Sequence, residues 1–228
     1  MYELRGVTKR YWRDGETVDA LAGVDLVVGD GHRLVVQGPA RSGKSTLLRL
    51  LGGFGRPTAG SVELDGTDLA ALPEARLAAV RAESIGYVSG DGDPVPALSV
   101  LENVETALAP LGFGGAARRA RAVDALESVG LGAFGDRLPG ELHDGGRRRL
   151  AIARALARRP KVLLADEPTA DLAGAVRDEI MELLEEIWKT HGLTFVMVTH
   201  DGAVAGRAPR LARIAGGRVS VARNVVPR

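Results

Sequence analysis

Apolar residues in this chain occur in two patterns. Short, mainly apolar runs without alternation lie at Leu34-Val35-Val36, 85–88, 161–165 and 194–199. A strand without alternation is buried on both faces, which argues for a parallel sheet covered on both sides. Between these runs, apolar residues recur at helical spacing over 47–51, 73–83 and 173–189. The N-terminal part differs. Tyr2 to Tyr11 and Val24 to Val28 read as short strands separated by a turn at Asp14-Gly15, and Ser61 to Leu64 as a strand ending at Asp65-Gly66. Leu211 to Ile214 and Arg218 to Val221 read as a closing hairpin around Gly216-Gly217.

The texture changes in the middle. Residues 89–98, SGDGDPVPAL, are rich in turn formers, and 99–159 follow a helical pattern. Ser99 and Glu102 have the spacing of a capping box. Gly112 to Gly115 break the pattern before a helix over 116–129, and a further helix spans 144–159. The chain therefore reads as one α/β domain. Its core is 1–88 and 160–228, with a mainly parallel sheet and an antiparallel N-terminal part, and 89–159 form a helical insertion.

Composition adds limits. The net charge of +1 over 228 residues gives no argument for a nucleic-acid partner. The chain has no cysteine, which excludes disulfides and thiolate zinc sites. No run approaches the roughly 18 apolar residues of a spanning helix, and Met1 to Arg5 do not open like a signal peptide. The arginines at 118, 119, 121 and 147–149 read as solvated helix faces rather than a phosphate-binding patch.

The chemistry begins at Gly38-Pro39-Ala40-Arg41-Ser42-Gly43-Lys44-Ser45-Thr46. This stretch follows a strand, opens a helix and satisfies G-x-x-x-x-G-K-[ST], the phosphate-binding loop. Loop N–H groups and the helix N-terminus cradle phosphate oxygens in such a loop. Lys44 reaches the β- and γ-phosphates, and the Ser45 hydroxyl faces Mg²⁺. A second apolar strand runs into Asp166-Glu167-Pro168-Thr169, placing two carboxylates where open α/β sheets bind ligands. Asp166 is expected to hold the Mg²⁺ shell and Glu167 to orient or deprotonate a water. Thr199-His200-Asp201 ends another strand, placing His200 to touch a γ-phosphate.

In that order, GPARSGKST, LHDGGRRRLAIARAL, KVLLADEPT and VMVTHD make the chain resemble the ATP-binding subunit of an ABC transporter, over nearly its whole length. KRYWRDGETVDALAGVDL, IGYV and PALSVLENV resemble the lipoprotein-release, macrolide-export and cell-division branch. The resemblance implies a P-loop NTPase fold and hydrolysis of ATP with Mg²⁺. It also implies a transmembrane permease subunit as partner, a second ATP-binding subunit in a dimer, and a place at the cytoplasmic face of the membrane. It makes Tyr11 the aromatic that stacks on adenine, although the residue alone reads as an edge side chain packed on the sheet. It makes Glu167 the catalytic carboxylate, His200 the switch histidine and the helical insertion the part that meets the permease.

Four departures bear on activity. The signature LSGGQ stands here as Leu142-His143-Asp144-Gly145-Gly146. A carboxylate about 4 Å from a phosphate charge costs on the order of 4 kcal/mol at an effective dielectric near 20. One hydrogen bond to a charged group returns roughly 1.5–3 kcal/mol. This face is thus expected to clamp phosphate poorly, with Asp144 serving as the helix N-cap. Gly90 stands where the resemblance implies a glutamine, Ala173 where it implies an aspartate, and Arg41 where it implies a glycine. The residues serving the chain's own ATP are largely intact; those serving a partner's are not. An asymmetric dimer is the expectation, with a weakly hydrolysing scaffold subunit as the alternative. A DNA-repair ATPase head would need sustained heptads, and a GTPase would need Asn-Lys-x-Asp; neither is found.

Overall fold

The computed structural model describes residues 1–13, 15–90 and 94–222. Asp14 of the first expected turn and residues 91–93 of the expected loop lie outside them. The strands are β1 (Tyr2–Arg13), β2 (Glu16–Val28), β3 (Arg33–Gln37), β4 (Ala59–Leu64), β5 (Thr67–Asp68), β6 (Ile85–Val88), β7 (Val162–Asp166), β8 (Thr194–Thr199), β9 (Leu211–Ala215) and β10 (Arg218–Ala222). The helices are α1 (Lys44–Leu51), α2 (Glu74–Ser84), α3 (Val100–Leu108), α4 (Gly115–Ser128), α5 (Asp144–Leu156), α6 (Gly174–His191) and α7 (Gly202–Gly206).

Two sheets result. One has the order β10-β9-β3-β8-β7-β6, parallel throughout except for β10. The other is antiparallel, in the order β2-β1-β4-β5. The unalternating apolar runs are the centre of the parallel sheet. Leu34, Val36, Leu164 and Val196 pack on one side with Tyr2, Leu4 and α1. Val35, Leu163, Phe195 and Met197 pack on the other with side chains of α3 to α6. Each such apolar side chain contributes roughly 1.5–3 kcal/mol when fully buried. Covering both faces leaves the carboxyl ends of the strands as the open edge, and the candidate chemistry lies there.

The insertion starts as its sequence dictates. Ser99 Oγ accepts from Glu102 N at 3.2 Å, and Glu102 accepts from Ser99 N at 2.7 Å. Asn103 is wholly buried; it accepts from Val95 N and donates to the carbonyls of Val95, Leu98 and Ser99, which fixes the chain entering α3.

Three local expectations are corrected. β1 ends two residues past the expected Tyr11, but β2 begins at Glu16, eight residues before the expected Val24. Residues 16–19 are exposed on both strand faces, so they carry no apolar stripe; ladder pairs such as Tyr11 opposite Val18 hold them. Asp144 is the first residue of α5 and not its cap: His143 is the cap, its Nδ1 accepting from Gly146 N at 3.2 Å. Arg148 does not lie on a solvated face. It is 9% exposed and donates to the carbonyls of Ser89 and Ala170.

Candidate functional site

The loop from Gly38 to Gly43 joins the end of β3 to α1. Two of its glycines are required by close approach. A Cβ at Gly38 would lie 2.3 Å from Ile214 O, and one at Gly43, where φ is 104°, would lie 2.2 Å from Ala20 O. Arg41 has φ of 62°, a left-handed conformation costing a side-chain-bearing residue about 1–2 kcal/mol. Pro39 and Ala40 are exposed, Ser42 is buried and Thr46 is half-buried. α1 begins without a side-chain cap and without an acidic residue in its first turn. Its N-terminal partial positive charge is therefore not neutralised by its own side chains, the condition for holding an anion.

Lys44 is buried. Its Nζ donates to Gly38 O at 2.8 Å and Pro39 O at 2.7 Å, and lies 3.5 Å from Glu167 Oε1. The other oxygen of Glu167 accepts from His200 N at 3.1 Å and lies 3.0 Å from His200 Nδ1. Lys44, Glu167 and His200 thus form one continuous polar contact. Glu167 has φ of 47°, in the left-handed region. Its backbone N–H is held by Val198 O at 3.0 Å.

Asp166 closes β7 beside this chain. Its Oδ1 accepts from Ser45 Oγ at 3.1 Å and its Oδ2 from the Tyr87 hydroxyl at 3.2 Å. Burial holds the carboxyl above the ordinary carboxylate range, and the bonds from Ser45 and Tyr87 pull the other way. Burial also pushes the Tyr87 hydroxyl up, reinforced by the Asp166 charge. Among the described residues no cluster of three or more His, Cys, Asp or Glu side chains could hold a metal. A hydroxyl and a carboxylate oxygen 3.1 Å apart suit Mg²⁺ all the same, because Mg²⁺ takes one or two protein oxygens and completes its shell with phosphates and water.

Tyr11 stands apart from this cluster, on the hairpin of β1 and β2. It is 39% exposed, with Lys9 Nζ 5.3 Å from its ring centre, and its neighbour Trp12 is 74% exposed. An exposed ring beside a cation is free to receive a flat heterocycle.

The start of α5 is built differently from the start of α1. His143 spends its ring nitrogen on Gly146 N, Asp144 pairs with Arg147, and Arg147 also donates to Leu142 O at 2.6 Å. The N-cap of α6 is Ala173, which makes no side-chain cap. At Gly90, an added Cβ would lie 3.4 Å from the carbonyl oxygens of both Asp166 and Glu167. Sequence reasoning missed Tyr87 and Arg148. Tyr87 reads in the sequence as one more residue of an apolar strand, and Arg148 sits among arginines of identical type, so nothing in the sequence singles either out.

Comparison with known proteins identifies the family. The ABC transporter family model matches residues 21–170. The lipoprotein-releasing system ATP-binding protein LolD of Geobacter metallireducens is 40% identical over 222 residues, covering 96% of this chain and 97% of that protein. The macrolide export ATP-binding/permease protein MacB 1/2 of Paracoccus denitrificans is 41% identical over 219 residues, and the match spans 33% of its length. A dimeric ATP-binding cassette, MJ0796, in a post-hydrolysis state with ADP and phosphate, superimposes with a TM-score of 0.90 at 36% identity over 98% of both chains. With a phosphate-binding loop at an uncapped helix, two carboxylates at the end of β7 and these relatives, the chain belongs to the ABC transporter family, as an ATP-binding cassette whose ATPase activity drives a transporter.

Proposed function

We propose that this cassette holds Mg²⁺–ATP at the carboxyl ends of β3, β7 and β8 and hydrolyses it from there. The observation that carries the proposal is the unbroken contact from Lys44 through Glu167 to His200, beside the Ser45–Asp166 pair. The amides of residues 40–46 and the N-terminus of α1 receive the β- and γ-phosphates. Lys44 exchanges Glu167 for phosphate oxygens. Ser45 and Asp166 would hold Mg²⁺, which supplies charge neutralisation on the phosphates. Glu167, released from Lys44, accepts a proton from the attacking water, and His200 donates to the γ-phosphate. Tyr11 stacks on adenine.

The second half of the reading concerns the dimer. Cassettes similar to this one are dimeric, and in such an arrangement a second ATP-binding subunit would seal this chain's pocket. The face at His143 and Asp144 is a weak seal for the partner's ATP, because its donor is spent internally and its carboxylate repels phosphate. Turnover therefore belongs mainly to the pocket of Lys44 and Glu167, in an asymmetric pair. A second reading, a scaffold subunit with little hydrolysis, is favoured by the same face and by Gly90.

The permease contact is assigned to a groove of about 490 Å³ between α2, β6 and the insertion, walled by Phe54, Tyr87, Arg81, Arg154 and Arg158. Burial, then Arg154, lowers the pKa of Arg158. A cationic and partly apolar groove fits a cytoplasmic segment of a membrane protein that offers a carboxylate beside apolar side chains. No helix among the described residues is long and apolar enough to cross a membrane, so this docking would place the cassette peripherally at the cytoplasmic face. Arg158→Glu is expected to abolish co-purification with the membrane subunit while leaving ATP binding unchanged. Unaltered co-purification would remove the groove from the account.

A further inference from the structure

Asp166 is fixed by two hydroxyls that come from different parts of the molecule. Ser45 belongs to the nucleotide loop and takes Oδ1; Tyr87 belongs to β6 and takes Oδ2. The Tyr87 ring is at the same time a wall of the groove between β6 and the insertion. There it meets Phe54 edge-on, with ring centres 5.2 Å apart and planes at 80°. The Arg81 guanidinium lies 5.8 Å from the Phe54 ring centre. A contact path therefore runs from a groove cation through two aromatic rings to the carboxylate assigned to Mg²⁺. The other candidate for such a link, the position of Gly90, carries no side chain, although its backbone lies against Asp166 and Glu167.

We propose that Tyr87 is a positioning residue that couples the groove to Asp166, so that a permease segment seated on Phe54 and Tyr87 alters how tightly Mg²⁺–nucleotide is held. The inference rests on the groove and Mg²⁺ readings above and adds the residue that joins them. The mechanism is geometric. The hydroxyl holds one carboxylate oxygen and so sets the direction of the other, which Ser45 shares. Phe54 is 46% exposed, so an incoming side chain can reach it and move the ring on which Tyr87 leans. Tilting the Tyr87 side chain about its Cα–Cβ bond lengthens or shortens its bond to Oδ2 and reorients the oxygen pair.

Tyr87→Phe keeps the ring, its burial and its contact with Phe54, and removes only the hydroxyl. The test uses the full chain and a fluorescent ATP analogue, titrated with Mg²⁺ and with a chelator in its place. In the parent protein Mg²⁺ tightens binding; in Tyr87→Phe that tightening shrinks by about three- to tenfold, the net scale of one ordinary intramolecular hydrogen bond, while the chelator affinity stays within about twofold. Phe54→Ala also shrinks the tightening in the parent background, and has no further effect in Tyr87→Phe because both act through one bond. Full tightening in Tyr87→Phe overturns the proposal. So does an equal loss of affinity with and without Mg²⁺, which would make Tyr87 a folding residue. Failure of the groove reading looks different: Arg158→Glu would still recruit the membrane subunit, with the effect of Tyr87→Phe on Mg²⁺ intact.

Discussion

Two helix N-termini in this molecule face opposite demands. α1 opens from a glycine-bearing loop with no side-chain cap and no acidic residue in its first turn. α5 opens with His143 as its cap and Asp144 in its first turn. Both helices carry the same partial positive charge at that end. Only α1 leaves it unspent. α5 satisfies its own amides and adds a carboxylate, which stabilises the helix as such and makes it a worse clamp for a phosphate. An anion site is thus a helix end left incomplete, and a stable helix end is a poor anion site. The lopsided dimer proposed for this cassette follows from that difference.

The predictions act on this contrast in order of size. Glu167→Gln should lower ATP turnover on the order of 10²- to 10⁴-fold, as expected for loss of a general base, and retain ATP in a binding assay. Normal turnover would remove Glu167 from its role. Lys44→Ala should weaken ATP binding on the order of 10²- to 10⁴-fold, since it removes charge-assisted bonds to two phosphates at roughly 1.5–3 kcal/mol each; equilibrium binding of a labelled nucleotide checks this.

Asp166→Asn should lose the tightening by Mg²⁺ and yet melt higher without nucleotide at pH 7. The sign follows from the raised pKa. The folded chain holds the Asp166 proton more strongly than the unfolded chain does. Stability therefore falls as pH rises from the ordinary value of 3.8 through the raised folded value. Asparagine has no such window, so the advantage of the variant should narrow on acidification through the raised value. A melting temperature equal to the parent's at every pH would contradict it.

The smallest effect is at Arg41. Arg41→Gly should relieve about 1–2 kcal/mol of left-handed strain, raising the melting temperature by about 2–4 °C per kcal/mol for a chain of this size. Scanning calorimetry without nucleotide measures it. No gain would mean that contacts of the arginine side chain offset the strain.

The sequence carried the half of the site made of strand ends. Lys44, Ser45 and Asp166 follow apolar runs whose burial on both faces leaves their carboxyl ends as the open edge, so position could be read from pattern. Features set by side chains from distant elements were not legible. Tyr87 reads as one more strand residue, and its bond to Asp166 exists only once β6 lies beside β7. Arg148 looks like its neighbours Arg147 and Arg149 until α5 packs and buries it against the loops after β6 and β7. At the start of α5, the sequence preference of aspartate for N-caps pointed to Asp144, yet the chain turns one residue earlier and His143 takes the position. The first half of β2 escaped because exposed strand has no apolar face to announce it.

The contrast between the two helix ends is tested most directly by ATP turnover of the purified cassette before and after rebuilding α5. The double substitution His143→Ala and Asp144→Gly frees the Gly146 amide, since alanine offers no cap, and removes the carboxylate. The account predicts very slow turnover by the parent alone and a rise of about tenfold or more in the rebuilt protein, in line with a relieved charge clash on the order of 4 kcal/mol that is only partly realised. Brisk turnover by the parent, unchanged by the rebuilding, would contradict it.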